Sequence, residues 1–205
     1  MKKLVLLMSL VASCSVWAQG DIEAGKSKSA TCAACHGPDG NSVVAQYPKI
    51  AGQHEKYLEK QLQELKLGMT SGGKQGRYDP VMSAMAMPLT DEDIADLAAY
   101  YASVPQTGGS TPENVVEAGK ALYFAGSQEK GLTSCNACHG PRGEGMELGG
   151  FPKISGQHAD YVKIQLEKFR SGERTNDLNG MMQDIAKQLS DEDIDTLSKY
   201  VGGLH

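Results

Sequence analysis

The sequence predicts an all-α protein built from two tandem copies of one helical domain. Blocks of the first half recur in the same order in the second half. Within those blocks apolar residues recur at helical spacing. Period-two alternation, the mark of a half-buried strand, is absent over any useful length.

The copies align through three blocks. Thr31–Gly40 reads TCAACHGPDG and Ser134–Gly143 reads SCNACHGPRG. YPKIAGQH from Tyr47 matches FPKISGQH from Phe151, and LTDEDIADLAAY from Leu89 matches LSDEDIDTLSKY from Leu189. The offsets are 103, 104 and 100 residues, so length changes fall between blocks, as in a duplicated domain. We divide the chain into an export segment (1–18), a first domain (19–105), a linker (106–112) and a second domain (113–205). Pro, Gly, Ser and Thr dominate the linker, which reads as a tether or an extended crossing segment.

The elements follow in order. Lys2 and Lys3, the apolar run Leu4–Ala12 and the small-residue site Val16-Trp17-Ala18 read as a signal peptide cut after Ala18. That run is too short to span a bilayer, which takes about 20 residues. The expected destination is the periplasm. The rival cut, at Val11-Ala12-Ser13-Cys14, gives a lipid anchor on Cys14 and a membrane-associated product. A first helix leads into each cysteine motif, from Ile22 and from Val115. A middle helix spans about 55–67, with Leu58, Leu62 and Leu65 on one face; its twin carries Val162, Leu166 and Phe169. Gly68 and Gly172 are their C-cap candidates. In the last helices Thr90 and Ser190 are N-caps, with Asp93 and Asp193 as shorter-than-usual capping-box partners. Ile94, Leu97, Ala98 and Tyr101 form an apolar stripe repeated by Ile194, Leu197 and Val201.

With net charge −5, and both halves acidic, the chain is not a nucleic-acid binder. Aromatic content of 6% leaves each domain short of core-filling rings. Small domains in that position need a staple.

The staple is legible in Cys32-Ala33-Ala34-Cys35-His36 and Cys135-Asn136-Ala137-Cys138-His139. Both are C-x-x-C-H, the attachment motif of c-type haem. Two thiols one helical turn apart reach the two vinyl groups of one haem edge, and the adjacent histidine swings under the iron. Redox CxxC disulfides belong to a βαβ context that is missing here. A shared zinc site or plain disulfides leave the repeated histidine without a role. The remaining cysteine, Cys14, falls in the export segment.

Iron then needs a second axial partner. Applying the local offset of 100, only Met82 and Met182 are matched methionines; Met85, Met87 and Met181 have no twin and read as core packing. His54 and His158 are also matched and give the bis-histidine alternative, though they sit where a cap or a solvent-facing group is expected. His205 has no counterpart. Pro48 and Pro152 follow their histidines by 12 and 13 residues and, by themselves, read as loop prolines.

With these motifs in place the chain resembles the class I cytochrome c family, and its two-copy layout resembles the dihaem cytochromes c4. The resemblance runs through both CACHG-type motifs, both PKI-x-GQ segments, both L-x-DEDI helices and the methionine before each. It implies two class I cytochrome c domains facing each other, each wrapped around one covalent haem c, with the propionates near the interface. It implies His36 and Met82, and His139 and Met182, as axial pairs. It also implies that the carbonyls of Pro48 and Pro152 accept a hydrogen bond from the proximal histidines. The function implied is outer-sphere electron transfer in a bacterial respiratory chain, without a small-molecule substrate. A quinol-oxidising bc complex would be the donor and a haem–copper terminal oxidase of the cbb3 type the acceptor. The rival class is a dihaem peroxidase or dehydrogenase subunit, which requires one open iron site.

Overall fold

A computed structural model describes residues 20–204 of the chain. The export segment with Cys14, and His205, lie outside the described residues. The first domain comprises α1 (Ile22–Lys28), α2 (Ala30–His36), α3 (Glu55–Thr70), α4 (Pro80–Ala86) and α5 (Asp91–Ser103). The second begins with a 3-10 turn (Glu113–Val115). It continues through α6 (Val116–Ala125), α7 (Asn136–His139), α8 (Ala159–Ser171), α9 (Met181–Lys187) and α10 (Asp191–Gly202). Two isolated bridges, Ser127 with Leu132 and Met146 with Phe151, are the extended pairings among the described residues. The fold is all-α.

Local chemistry sets the helix ends. Asp21 caps α1 by accepting from the Ala24 N–H at 2.9 Å. Asp79 caps α4 by accepting from the Val81 and Met82 N–H groups, with Pro80 at the position where its missing N–H costs nothing. Both capping boxes close despite the short acidic partner. Asp93 N donates to Thr90 Oγ1 at 3.1 Å and Thr90 N to Asp93 Oδ2 at 2.9 Å. Ser190 and Asp193 repeat this at 3.1 and 2.8 Å.

Gly172 ends α8 in the left-handed conformation (φ 77°), as expected. Gly68 does not end α3: that helix runs on to Thr70 and is capped by Ser71. A Cβ on Gly68 would lie 2.0 Å from the Arg77 carbonyl oxygen, so packing, not capping, calls for glycine there.

Each domain closes by crossing its first helix over its last. The crossings are tight because glycine sits at both. A Cβ on Gly25 would meet the Asp96 carbonyl oxygen at 2.0 Å, and one on Gly119 would meet Tyr200 Cβ at 2.5 Å. Much of each predicted stripe joins a core, though Leu62, Leu65, Ile94 and Phe169 lie outside the two clusters. Leu58, Leu97, Ala98, Tyr100 and Tyr101 pack in the first domain; Tyr123, Leu132, Leu189, Ile194, Leu197, Tyr200 and Val201 in the second.

The linker is an extended crossing segment, tied down along its length. Asn41 Nδ2 donates to the Pro105 carbonyl at 3.1 Å, and its Oδ1 accepts from the Thr107 N–H at 2.7 Å. Lys49 Nζ donates to the carbonyls of Thr107 and Gly108 at 2.9 and 3.1 Å.

Polar side chains from both copies bridge the domains. Arg77 Nη1 binds its own domain's Gln61 Oε1 at 2.9 Å, while Nη2 reaches Gln165 Oε1 at 3.1 Å. Arg174 mirrors it, with Nη1 on Gln165 Oε1 at 2.8 Å and Nη2 on Gln61 Oε1 and Tyr57 Oη, each at 3.0 Å.

Candidate haem sites

Cys32, Cys35 and His36 lie on α2, so the two sulfurs are one turn apart and the histidine closes the helix. In the second copy Cys135 is the N-cap of α7, with Cys138 and His139 in its single turn. Gly37 and Gly140 follow at φ 81° and 77°, a conformation that only glycine adopts readily. The chain leaves each helix in the same sharp bend and returns beneath the imidazole.

The four cysteines are all half-buried and free of disulfides. Cys32 packs against the first core and Cys135 against the second. Burial raises the Cys32 thiol above its ordinary pKa and pushes that of Cys135 up to about 11. These are not the electropositive surroundings that make a thiolate nucleophile. Among the described residues no three or more His, Cys, Asp or Glu side chains converge as a metal cluster. The cysteine pairs stay in separate domains instead of meeting as a four-ligand zinc site.

Both histidines are buried, and both are braced identically. His36 Nδ1 donates to the Pro48 carbonyl at 2.9 Å, and His139 Nδ1 to the Pro152 carbonyl at 2.9 Å. Pro48 and Pro152 are therefore more than loop prolines. Burial lowers each imidazole pKa, and the bond to the proline carbonyl partly offsets that. A neutral imidazole with Nδ1–H committed to a carbonyl presents Nε2 as a lone-pair donor, the state a metal ligand requires. Paired thiols on one turn beside such a nitrogen fit covalent haem.

Met82 and Met182 occupy equivalent places, each half-buried near the start of a short helix and four residues before a fully buried alanine, Ala86 or Ala186. Met85 and Met87 correct the sequence reading. They are 40% and 38% exposed, because α4 turns only Ser83 and Ala86 fully inward. Met181 is half-buried. His54 and His158 precede α3 and α8, but neither side chain caps its helix or stands free in solvent. His158 Nε2 donates to the Ser42 carbonyl across the domain boundary at 2.7 Å, and His54 Nε2 is buried without a partner.

The sequence reading missed the polar residues between the domains: Gln53, Gln61, Arg77, Gln157, Gln165 and Arg174. A signal was there. Gln53 and Gln157 sit inside the repeated GQH, and Gln61 and Gln165 keep the same offset of 104.

Two helical domains, each fixing a cysteine pair and a carbonyl-braced histidine, are the architecture of a dihaem c-type cytochrome. Comparison with known proteins places it further. The family model described as Cytochrome c matches residues 22–105 and 116–205. The chain is 46% identical to cytochrome c4 of Azotobacter vinelandii over 98% of this chain and 97% of that one. It is 34% identical to a thiosulfate dehydrogenase electron acceptor of Stutzerimonas stutzeri, over 82% of this chain and 76% of that one. The crystal structure of reduced recombinant cytochrome c4 from Pseudomonas stutzeri superposes with a TM-score of 0.88 at 45% identity, covering 91% of this chain and all of that one. The chain belongs to the cytochrome c family, in its two-domain cytochrome c4 branch. It is an electron-transfer protein, not an enzyme, and carries two covalent haem c groups, at Cys32 and Cys35 and at Cys135 and Cys138.

Proposed function

We propose that this chain carries electrons in a bacterial respiratory chain by outer-sphere transfer, through haems held axially by His36 with Met82 and by His139 with Met182. The observation that carries the reading is the matched 2.9 Å bond from each histidine Nδ1 to the carbonyl of Pro48 or Pro152. It orients each ring and raises the basicity of the other nitrogen. When bound, haem would supply a one-electron couple, and thioether ligation by Met82 or Met182 would raise its potential. The protein's part is to hold both ligands in place, fill the coordination sphere and exclude water, so that neither redox state needs rearrangement. With two such sites the molecule holds two electrons or relays one between partners.

The division into domains at 19–105 and 113–205 belongs to this reading. So does export to the periplasm after cleavage at Ala18, with lipidation of Cys14 as the alternative. No helix among the described residues is long and apolar enough to cross a membrane. The partners we propose are a quinol-oxidising bc complex as donor and a haem–copper oxidase of the cbb3 type as acceptor. The likeness to a thiosulfate dehydrogenase electron acceptor favours one other donor, a thiosulfate-oxidising enzyme.

The test is the pair Met82→Ala and Met182→Ala in the haem-loaded protein. Each should lower the potential of one haem and let carbon monoxide bind it when reduced. Unchanged spectra and potentials in both would overturn the axial assignment. Mixing with purified oxidase or thiosulfate dehydrogenase then identifies the partner by the rate of haem oxidation or reduction.

A further inference from the structure

The peptide group that braces each histidine is itself held by the opposite domain. The Pro48 carbonyl, which accepts from His36 Nδ1, and the Lys49 N–H belong to one peptide unit. That N–H donates to Oε1 of Gln157, in the second domain, at 2.9 Å. Gln157 Nε2 in turn donates to the Lys49 carbonyl at 2.8 Å, so the amide grips both sides of the residue. Gln157 is buried, and so is Lys49. The mirror image is complete. Lys153 N donates to Gln53 Oε1 at 2.9 Å, Gln53 Nε2 donates to the Lys153 carbonyl at 2.8 Å, and the Pro152 carbonyl of that peptide unit accepts from His139 Nδ1.

We infer that Gln157 and Gln53 are crossed positioning residues: each sets the strength of the proximal-histidine hydrogen bond, and so the redox potential, of the haem in the other domain. The inference rests on His36 and His139 being axial ligands. Hydrogen bonds in a chain polarise one another. When Gln157 Oε1 accepts from the Lys49 N–H, the same peptide's carbonyl carries more negative charge and accepts more strongly from His36. The imidazole gains anionic character, donates more to iron and favours the ferric state. The chain runs histidine N–H, proline carbonyl, lysine N–H, glutamine oxygen, and only its last member belongs to the other domain. Relative movement of the domains therefore reaches both histidines through the backbone peptide behind each one. Each haem's potential is a property of the docked pair and not of one domain alone.

The experiment is Gln157→Leu and Gln53→Leu in the full haem-loaded chain, with each haem's potential resolved by spectroelectrochemistry and haem-methyl NMR. Gln157→Leu should raise the potential of the haem at Cys32 and Cys35 and leave the other in place; Gln53→Leu should do the reverse. We expect about a threefold higher ferrous-to-ferric ratio at fixed potential, roughly 28 mV for one electron. The shorter amide of Gln157→Asn or Gln53→Asn should move the same haem in the same direction, and serves if a leucine variant fails to fold. Lys60→Met removes a different cross-domain bond, from Lys60 Nζ to the Asn176 carbonyl at 3.0 Å, and controls for loosening. It should shift neither haem. A shift in the substituted residue's own domain, equal shifts in both haems, a shift matched by Lys60→Met, or no shift would each overturn the inference. Failure of the axial reading is separate: His36→Ala would then leave the low-spin spectrum of its haem intact, whereas failure of the crossed bond alone leaves that spectrum dependent on His36.

Discussion

Arg174 Nη2 and Gln61 Oε1 meet at 3.0 Å across the domain boundary, with both side chains buried. Gln61 Oε1 accepts from Arg77 as well, so one amide oxygen serves two guanidinium groups from different domains. Arg174 also stacks on the Phe169 ring at 4.5 Å. The interface is thus a shared polar network, and its members are costly to remove singly.

Replacing Arg174 with leucine leaves Gln61, Gln165 and Tyr57 short of a buried donor. Hydrogen bonds to a charged group are worth about 1.5–3 kcal/mol each, so a loss of about 2 kcal/mol is expected after relaxation. Urea unfolding of the haem-loaded protein reads it as a lower midpoint. Separation of the two domains' transitions would show that the network also couples them.

Gly119→Ala should be among the most damaging small substitutions in the second domain. The added carbon falls 2.5 Å from Tyr200 Cβ, where α6 crosses α10. Overpacking of this kind costs about 1–3 kcal/mol; with three Tyr200 carbons within 2.7 Å the cost falls in the upper part of that range and exceeds the helix-propensity gain of about 1 kcal/mol that alanine brings. A thermal melt should show the drop, and a melt unchanged or raised would mean the crossing has slack.

Ser190→Ala removes the acceptor for the Asp193 N–H and opens the capping box of α10. The expected loss is about 1 kcal/mol. Ser190→Asp, which restores an acceptor, should recover most of it in the same unfolding assay.

The acid limb of stability depends in part on Asp96. Lys28 Nζ at 2.6 Å, then the Asp21 N–H at 2.7 Å, hold its carboxyl below the ordinary aspartate range. A carboxyl depressed in the folded state contributes stability above its unfolded pKa of about 3.9, and that contribution disappears as pH falls through the folded value. In Asp96→Asn the contribution is missing throughout. Unfolding midpoints of wild type and variant should therefore differ at pH 7, begin to close as pH falls past about 3.9, and converge once it has passed the folded value. A constant gap would show that the ion pair is not what the pH dependence reports.

Much of this molecule is legible in its sequence, and the reasons are local. Thr90 with Asp93, and Ser190 with Asp193, announce helix starts because capping involves residues three apart. The C-x-x-C-H motifs are equally local, since one helical turn brings both thiols and the imidazole together. Other positions were misread where a distant neighbour decides. Gly68 looked like a helix end and is a packing site, because the Arg77 backbone lies against it. Met85 and Met87 looked like core and are exposed, because seven-residue α4 has little face to bury. His158 looked like a cap and instead bonds the Ser42 carbonyl, 116 residues away.

The amino-acid order by itself determined the duplication, the helical class, the covalent haem motifs and the candidate ligands, since each depends on spacing within a turn or on comparing one copy with the other. Only the tertiary structure decided how the copies meet: that Gln157 holds the peptide behind His36 while Gln53 holds the one behind His139, and that two arginines share acceptors between domains. Such contacts join residues about a hundred positions apart through side chains whose local preferences are indifferent to one another, and they exist only once both domains have folded and docked.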